Sequence, residues 1–176
     1  HRYRYLKNIM GLWMIQNVKK ELDDKYSFAE LCDMASKETI SSIVDCNDDC
    51  FLAPKNMTEA VQKFCEDTNQ QVPRTPGEVS AVIYNSLAKC YGDTVEEIEG
   101  ITGKHYDTIY VVGGGSNAVY LNQLTAKYTG RRVSAGPGEA TAIGNVMVQM
   151  LHDGTFESLA QARTCDGESF GVKYYE

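Results

Sequence analysis

The segment that decides the fold is residues 107–154, which read DTIYVVGGGSNAVYLNQLTAKYTGRRVSAGPGEATAIGNVMVQMLHDG. Two β-branched stretches in this segment are each followed by a glycine-containing turn and then by a helical pattern. Two strand-turn-helix units in series predict parallel strands joined by right-handed crossovers, and therefore an α/β sheet. The expected elements are a strand at 108–112, a glycine turn at 113–116, a helix at 119–128, a strand at 132–135, a second turn at 136–138 and a helix at 139–151.

Helical patterns dominate the first hundred residues. Apolar side chains recur at helical spacing near the start of the chain and predict a helix there. They are Leu6, Ile9, Met10 and Trp13. Capping boxes at 27–30 and 75–78 predict helices that run to about Lys37 and Leu87, and another amphipathic helix is expected at 58–68. We therefore expect a sheet with parallel strands that helices cover or flank at one end.

Composition and charge exclude several classes of protein. The 176 residues are 43% hydrophobic and 23% charged, which is typical of a globular chain, and one domain fits best. A net charge of −7 with scattered basic residues disfavours nucleic acid as a partner. No apolar stretch approaches the ~20 residues of a transmembrane helix, so no membrane partner is expected, and the cytoplasm is the expected compartment. The six cysteines lack the spacing of a zinc site, and no metal site is predicted.

The glycine turn at 113–116 is the predicted ligand site. Three consecutive glycines let the backbone approach a ligand closely, and the free N–H groups of the next helix are expected to face the turn. Open α/β sheets bind ligands at the carboxyl ends of their strands, where both glycine-containing turns fall. This position suits a phosphate group or the edge of a nucleotide.

Three chemistries compete for this turn. Dinucleotide binding has the spacing Gly113-x-Gly115-x-x-Ala118 but lacks its acidic residue after the second strand, where Ala135-Gly136 stand. A nucleophile elbow at Ser116 would need Glu139 and His152 to meet it, yet these lie roughly 20 Å apart along one predicted helix. The third is an actin-like ATPase site, which requires a second half that carries the metal and the base. A chain that starts abruptly inside a predicted helix fits this third possibility.

Three stretches of the chain resemble the FGGY-type carbohydrate kinases, and within that family the kinases of L-rhamnulose. They are residues 4–16 (RYLKNIMGLWMIQ), residues 111–116 with 121–126 (VVGGGS and LNQLTA) and residues 135–145 (AGPGEATAIGN). The likeness runs from about Arg2 to Gly154. It implies that residues 1–176 form the C-terminal nucleotide-binding half of an actin-like ATPase (ribonuclease H-like) fold, and that the N-terminal sugar-binding and catalytic domain is absent from this chain.

The resemblance also implies roles for individual residues. Asn8 would line the cleft near the sugar, and Gln16 would touch ATP. The residues that would contact the nucleotide in the turn are Gly113, Gly114, Gly115, Ser116 and Asn117. Where the family usually has Gln-Asn, this chain has Asn117-Ala118, so no side-chain hydrogen bond is expected from position 118. No residue of this chain is expected to serve as the catalytic base or as a metal ligand.

The reaction implied by the resemblance is transfer of the γ-phosphoryl group of ATP to a ketose with Mg²⁺, and the expected conversion is L-rhamnulose to L-rhamnulose 1-phosphate. Another kinase of the family, acting on fuculose or xylulose, is one alternative. A stand-alone nucleotide-binding module without catalysis is the alternative from a different class. The expected partners are ATP, the ketose and the N-terminal domain of the same enzyme, and the isolated chain is expected to bind nucleotide weakly and to turn over nothing.

Overall fold

A computed structural model describes residues 4–176. Arg2, where the family resemblance begins, lies outside the described residues. The helices are α1 Trp13–Glu21, α2 Phe28–Ser36, α3 Met57–Asp67, α4 Pro76–Thr102, α5 Val119–Thr129, α6 Ala140–His152 and α7 Leu159–Ser169. The strands are β1 Thr108–Val111, β2 Arg132–Ala135 and β3 Lys173–Tyr175, and short 3-10 turns span Asp49–Phe51 and Gly113–Asn117.

The sheet has three strands in the order β1-β2-β3. β1 and β2 are parallel, with Thr108 opposite Arg132 and Val111 opposite Ala135. This pair, with α5 as its crossover, confirms the predicted α/β class. β3 adds to the far edge of β2 in the antiparallel direction. Both β3 and α7 lie outside every predicted element.

The two predicted capping boxes form as expected. The amide of Glu30 donates to Ser27 Oγ at 3.2 Å, and its carboxylate accepts from the amide of Ser27 at 2.7 Å. α4 begins in the same way at Thr75 and runs well past the predicted end near residue 87. It stops at Gly103, which has a left-handed φ of 64°.

The first helix begins later than predicted. Leu6 is 81% exposed and lies in an irregular stretch, and α1 begins only at Trp13, after Gly11 with a φ of 62°. Contacts distant in sequence hold this stretch: the Lys7 ammonium pairs with Glu97 of α4, and the Met10 amide donates to Asn47 Oδ1 at 3.4 Å. Tertiary contacts therefore override the helical spacing of the apolar residues here.

The main core lies among the helices rather than on the sheet. Its fully buried side chains come from α1 to α4 and the first 3-10 turn and include Met14, Leu31, Phe51, Val61 and Tyr84. A smaller cluster is formed by Ala126, Val133 and Ala135, because α5 covers one face of the sheet. In the part of the chain that the structure describes, no helix combines the length and apolar character that a membrane crossing requires.

Candidate functional site

The two glycine-containing turns meet at the carboxyl edge of the sheet. Because β1 and β2 are parallel and in register, both strands end at the same place. The amide of Gly136 donates to the carbonyl of Val111 at 2.9 Å, and the amide of Gly113 donates to the carbonyl of Pro137 at 3.2 Å. Residues 113–117 and 136–138 thus form one backbone platform, which we call the paired turns.

The first of the paired turns is held closed by its own serine. Ser116 is 8% exposed, and its hydroxyl donates to the carbonyl of Gly113 at 2.7 Å. The amide of Ala118 donates to the carbonyl of Gly115 at 3.1 Å. The Ser116 hydroxyl is therefore engaged in shaping the turn, which argues against its use as an exposed nucleophile.

Gly114 is the open point of the paired turns. It is exposed, and no atom lies within 4 Å of the position that a Cβ would occupy there. Gly115 is half-buried, since a Cβ on it would lie 3.5 Å from Val111 Cγ1 and 4.0 Å from Leu12 Cδ1. The main chain is therefore accessible at Gly114 and packed against the protein at Gly115.

The start of α5 does not face the opening as expected. The amide of Tyr120 donates to Cys32 Sγ of α2 at 3.3 Å, so this first-turn N–H group is directed into the protein. Burial raises the pKa of the Cys32 thiol. A site that withholds a helix N–H group from the ligand suits the uncharged edge of a nucleoside better than a phosphate.

The structure also shows a residue that stabilises the first of the paired turns and that the sequence analysis did not identify. Asn122 of α5 is 1% exposed, and its Nδ2 donates to the carbonyl of Ser116 at 3.0 Å. The available signal was a polar residue beside Leu121 on the face of α5 that carries Leu124 and Thr125.

Gln16 lies one helical turn after Leu12, the residue of this segment that approaches the paired turns. Its amide donates to the carbonyl of Leu12 at 3.0 Å, so the two residues share one side of α1. The Gln16 side chain is exposed, and Leu12 approaches Gly115. This placement is compatible with a role for Gln16 at the nucleotide, which stays a prediction.

Asn8 and Asn117 are both exposed but occupy different places. Asn117 belongs to the paired turns, where its Nδ2 lies 4.0 Å from the position of a Cβ on Gly138. Asn8 lies in the irregular stretch before α1, and among the described residues no hydrogen bond joins it to the paired turns. Their roles with nucleotide and sugar remain predictions.

No metal centre accompanies this platform in the described part of the chain. Within residues 4–176, no group of three or more His, Cys, Asp or Glu side chains is placed to hold a metal ion. Glu139 follows the second turn, but its exposed side chain does not cap α6. The paired turns can therefore offer main-chain contacts to a ligand.

Comparison with known proteins places this geometry in a family. The chain is 48% identical over 175 residues to the rhamnulokinase of Oceanobacillus iheyensis, covering 99% of this chain and 37% of that protein. It is 47% identical over 174 residues to the rhamnulokinase of Ligilactobacillus salivarius, covering 98% of this chain and 36% of the relative. The corresponding figures for the rhamnulokinase of Bacillus subtilis are 42% identity over 173 residues, 98% and 36%.

The chain thus spans little more than a third of the length of these relatives. Residues 1–152 match the family model described as the C-terminal domain of the FGGY family of carbohydrate kinases. The match confirms the predicted actin-like ATPase fold, to which the parallel pair β1–β2 and its covering helix correspond. The chain therefore belongs to the FGGY family of carbohydrate kinases.

Proposed function

We propose that this chain is the nucleotide-binding half of an ATP-dependent ketose kinase that converts L-rhamnulose to L-rhamnulose 1-phosphate. The observation that carries the proposal is the open main chain at Gly114, on a platform formed at the carboxyl edge of a parallel strand pair. Ligands bind at this edge in open α/β sheets. The similarity to proteins named rhamnulokinase supports the choice of sugar.

The paired turns would bind the adenosine part of ATP through main-chain contacts. Ser116 keeps the turn closed from within, and Gly114 leaves room for a flat ligand to approach the backbone. Gln16, one turn along α1 from Leu12, would contact the same nucleotide, and Asn8 would lie toward the sugar. Phosphoryl transfer depends on such positioning, because the ATP itself supplies the reactive group.

The catalytic base and the ligands of Mg²⁺ would belong to the N-terminal domain of the same enzyme. The paired turns contain no carboxylate, and the part of the chain described here offers no metal-binding cluster. No step on this chain is therefore assigned to Mg²⁺. ATP, the ketose and that N-terminal domain are therefore the proposed partners, and a cytoplasmic location stays a prediction.

The direct test is a panel of ketoses offered with ATP and Mg²⁺ to the complete protein that carries this chain. We expect sugar-dependent ATP consumption with L-rhamnulose. A clear preference for fuculose or xylulose would change the proposed substrate but would still support a ketose kinase. ATP binding without any sugar-dependent consumption would support the stand-alone nucleotide-binding module instead.

The glycine site is tested by Gly114→Val in the same protein. A Cβ at this position meets no protein atom, and in the proposed complex the valine side chain would occupy space next to the ligand, so we expect the KM for ATP to rise about tenfold or more, equivalent to ~1.4 kcal/mol of lost binding. Gly100→Val is the matched control, because Gly100 of α4 is also exposed and also open to an added Cβ. Equal ATP kinetics in both variants would contradict the assignment of the site.

A further inference from the structure

The amide of Asn122 serves a different purpose from the neighbouring polar groups of α5. Thr125 and Thr129 donate their hydroxyls to carbonyls four residues earlier in the same helix, at 2.7 and 2.6 Å. The Asn122 side chain instead reaches past the start of the helix to the carbonyl of Ser116, at 3.0 Å. Its backbone amide donates to the carbonyl of Ala118 at 2.9 Å, so the residue holds two points of the segment that enters α5.

This hydrogen bond is the first of two that hold the residues on either side of Gly114. Asn122 donates to the carbonyl of Ser116, and the hydroxyl of Ser116 donates to the carbonyl of Gly113. Gly114 lies between these two anchored residues and has no side chain of its own to fix its orientation. The conformation of the exposed main chain is therefore set from the buried side of the turn.

The buried carbonyl of Ser116 requires a hydrogen-bond donor at position 122. Asn122 is 1% exposed, and the carbonyl that it meets belongs to a residue that is 8% exposed. An apolar side chain at 122 would leave that carbonyl without this donor in a buried place, which is costly for a polar group.

We propose that Asn122 is a positioning residue for nucleotide binding, which acts through Ser116 on the main chain at Gly114. The inference rests on the proposed nucleotide site of the paired turns and adds to it a residue that does not touch the ligand. Loss of the bond lets the turn adopt other conformations, so the affinity for ATP falls. The transfer step and the affinity for the sugar depend on other residues and change much less.

The test compares Asn122→Leu with Thr125→Val in the complete kinase. Thr125 is the matched control because it is 1% exposed on the same helix and donates within the helix, away from the turn. We expect Asn122→Leu to raise the KM for ATP about five- to tenfold, the scale of one buried hydrogen bond, with kcat and the KM for sugar within twofold of the parent. Thr125→Val should leave all three parameters within about twofold.

A second variant, Asn122→Ala, guards against misfolding of the leucine variant. It removes the donor without adding bulk or a buried charge, so the same selective rise in the KM for ATP supports the inference. Thermal melting of each variant shows whether the enzyme is folded. Equal KM values for ATP in Asn122→Leu, Asn122→Ala and Thr125→Val would overturn the inference, as would a loss confined to kcat.

The outcome is separable from that of the proposed function. If Gly114→Val raises the KM for ATP and the Asn122 variants do not, the nucleotide site stands and the positioning role of Asn122 is wrong. If Gly114→Val has no effect on ATP kinetics, the proposed site itself fails, and the inference about Asn122 fails with it.

Discussion

A single carboxylate near the end of α4, Glu99, joins the segments that lead into the sheet. Its Oε1 accepts from the amide of Tyr106 at 2.9 Å and lies 3.2 Å from His105 Nδ1, and its Oε2 accepts from Arg131 Nη2 at 3.0 Å. The backbone hydrogen bond from Tyr106 first, and then Arg131, lower the pKa of Glu99 below its ordinary value of 4.5. Both β1 and β2 begin close to these partners in sequence.

The lowered pKa of Glu99 predicts how acid affects stability. A carboxylate whose folded pKa is depressed adds stability above its unfolded value of 4.5, and that stability is lost as the pH falls through the lower folded pKa. We expect Glu99→Gln to lower the melting temperature at neutral pH and to flatten its decline below about pH 4.5. Glu96→Gln, which removes an exposed carboxylate of the same helix, is the control; an identical acid profile for both variants would contradict this role.

At the scale of elements, α4 and α5 pack closely because Gly92 lies between them. A Cβ on Gly92 would lie 3.1 Å from the carbonyl of Tyr128, whereas a Cβ on Gly100 of the same helix meets no atom within 4 Å. Alanine at either position gains helix propensity of about 1 kcal/mol. At Gly92 the backbone of α5 must also move, at a cost of about 1–3 kcal/mol.

We therefore expect Gly100→Ala to stabilise the protein by up to about 1 kcal/mol and Gly92→Ala to destabilise it by about 1 kcal/mol. Urea unfolding of the two variants and the parent measures both changes. Stabilisation by Gly92→Ala equal to that by Gly100→Ala would show that the two helices have room to separate.

How far the elements could be predicted depends on whether their signals are local. The starts of α2 and α4 follow from capping residues within four positions, and the strand-turn-helix order follows from the glycine runs. The late start of α1 does not follow from the apolar spacing, because Gly11 adopts a left-handed φ of 62° and the Met10 amide contacts Asn47, 37 positions away. Asn122 and Cys32 were missed as parts of the site for the same reason: their partners are set by packing rather than by spacing.

For the whole molecule, the proposed function predicts that this chain expressed alone does not phosphorylate L-rhamnulose. Its paired turns are open at Gly114, where we propose that nucleotide binds, but they lack a carboxylate that could accept the proton of the sugar hydroxyl. A coupled assay of ADP release, with and without sugar, measures this directly, and the complete enzyme serves as the positive control. Sugar-dependent turnover by the chain alone would disprove the assignment of the base to the N-terminal domain.

The bonds between the paired turns bear on any attempt to transplant this site. The amide of Gly113 donates to Pro137 in the second turn, the amide of Gly136 donates to Val111 at the end of β1, and Asn122 secures the first turn from α5. Grafting only the GGGS tetrapeptide onto another protein would thus transfer the sequence of the turn without the hydrogen bonds that fix its conformation. A transplanted segment must include residues 108–138, so that β1, β2, the crossover helix α5 and the paired turns are transferred together.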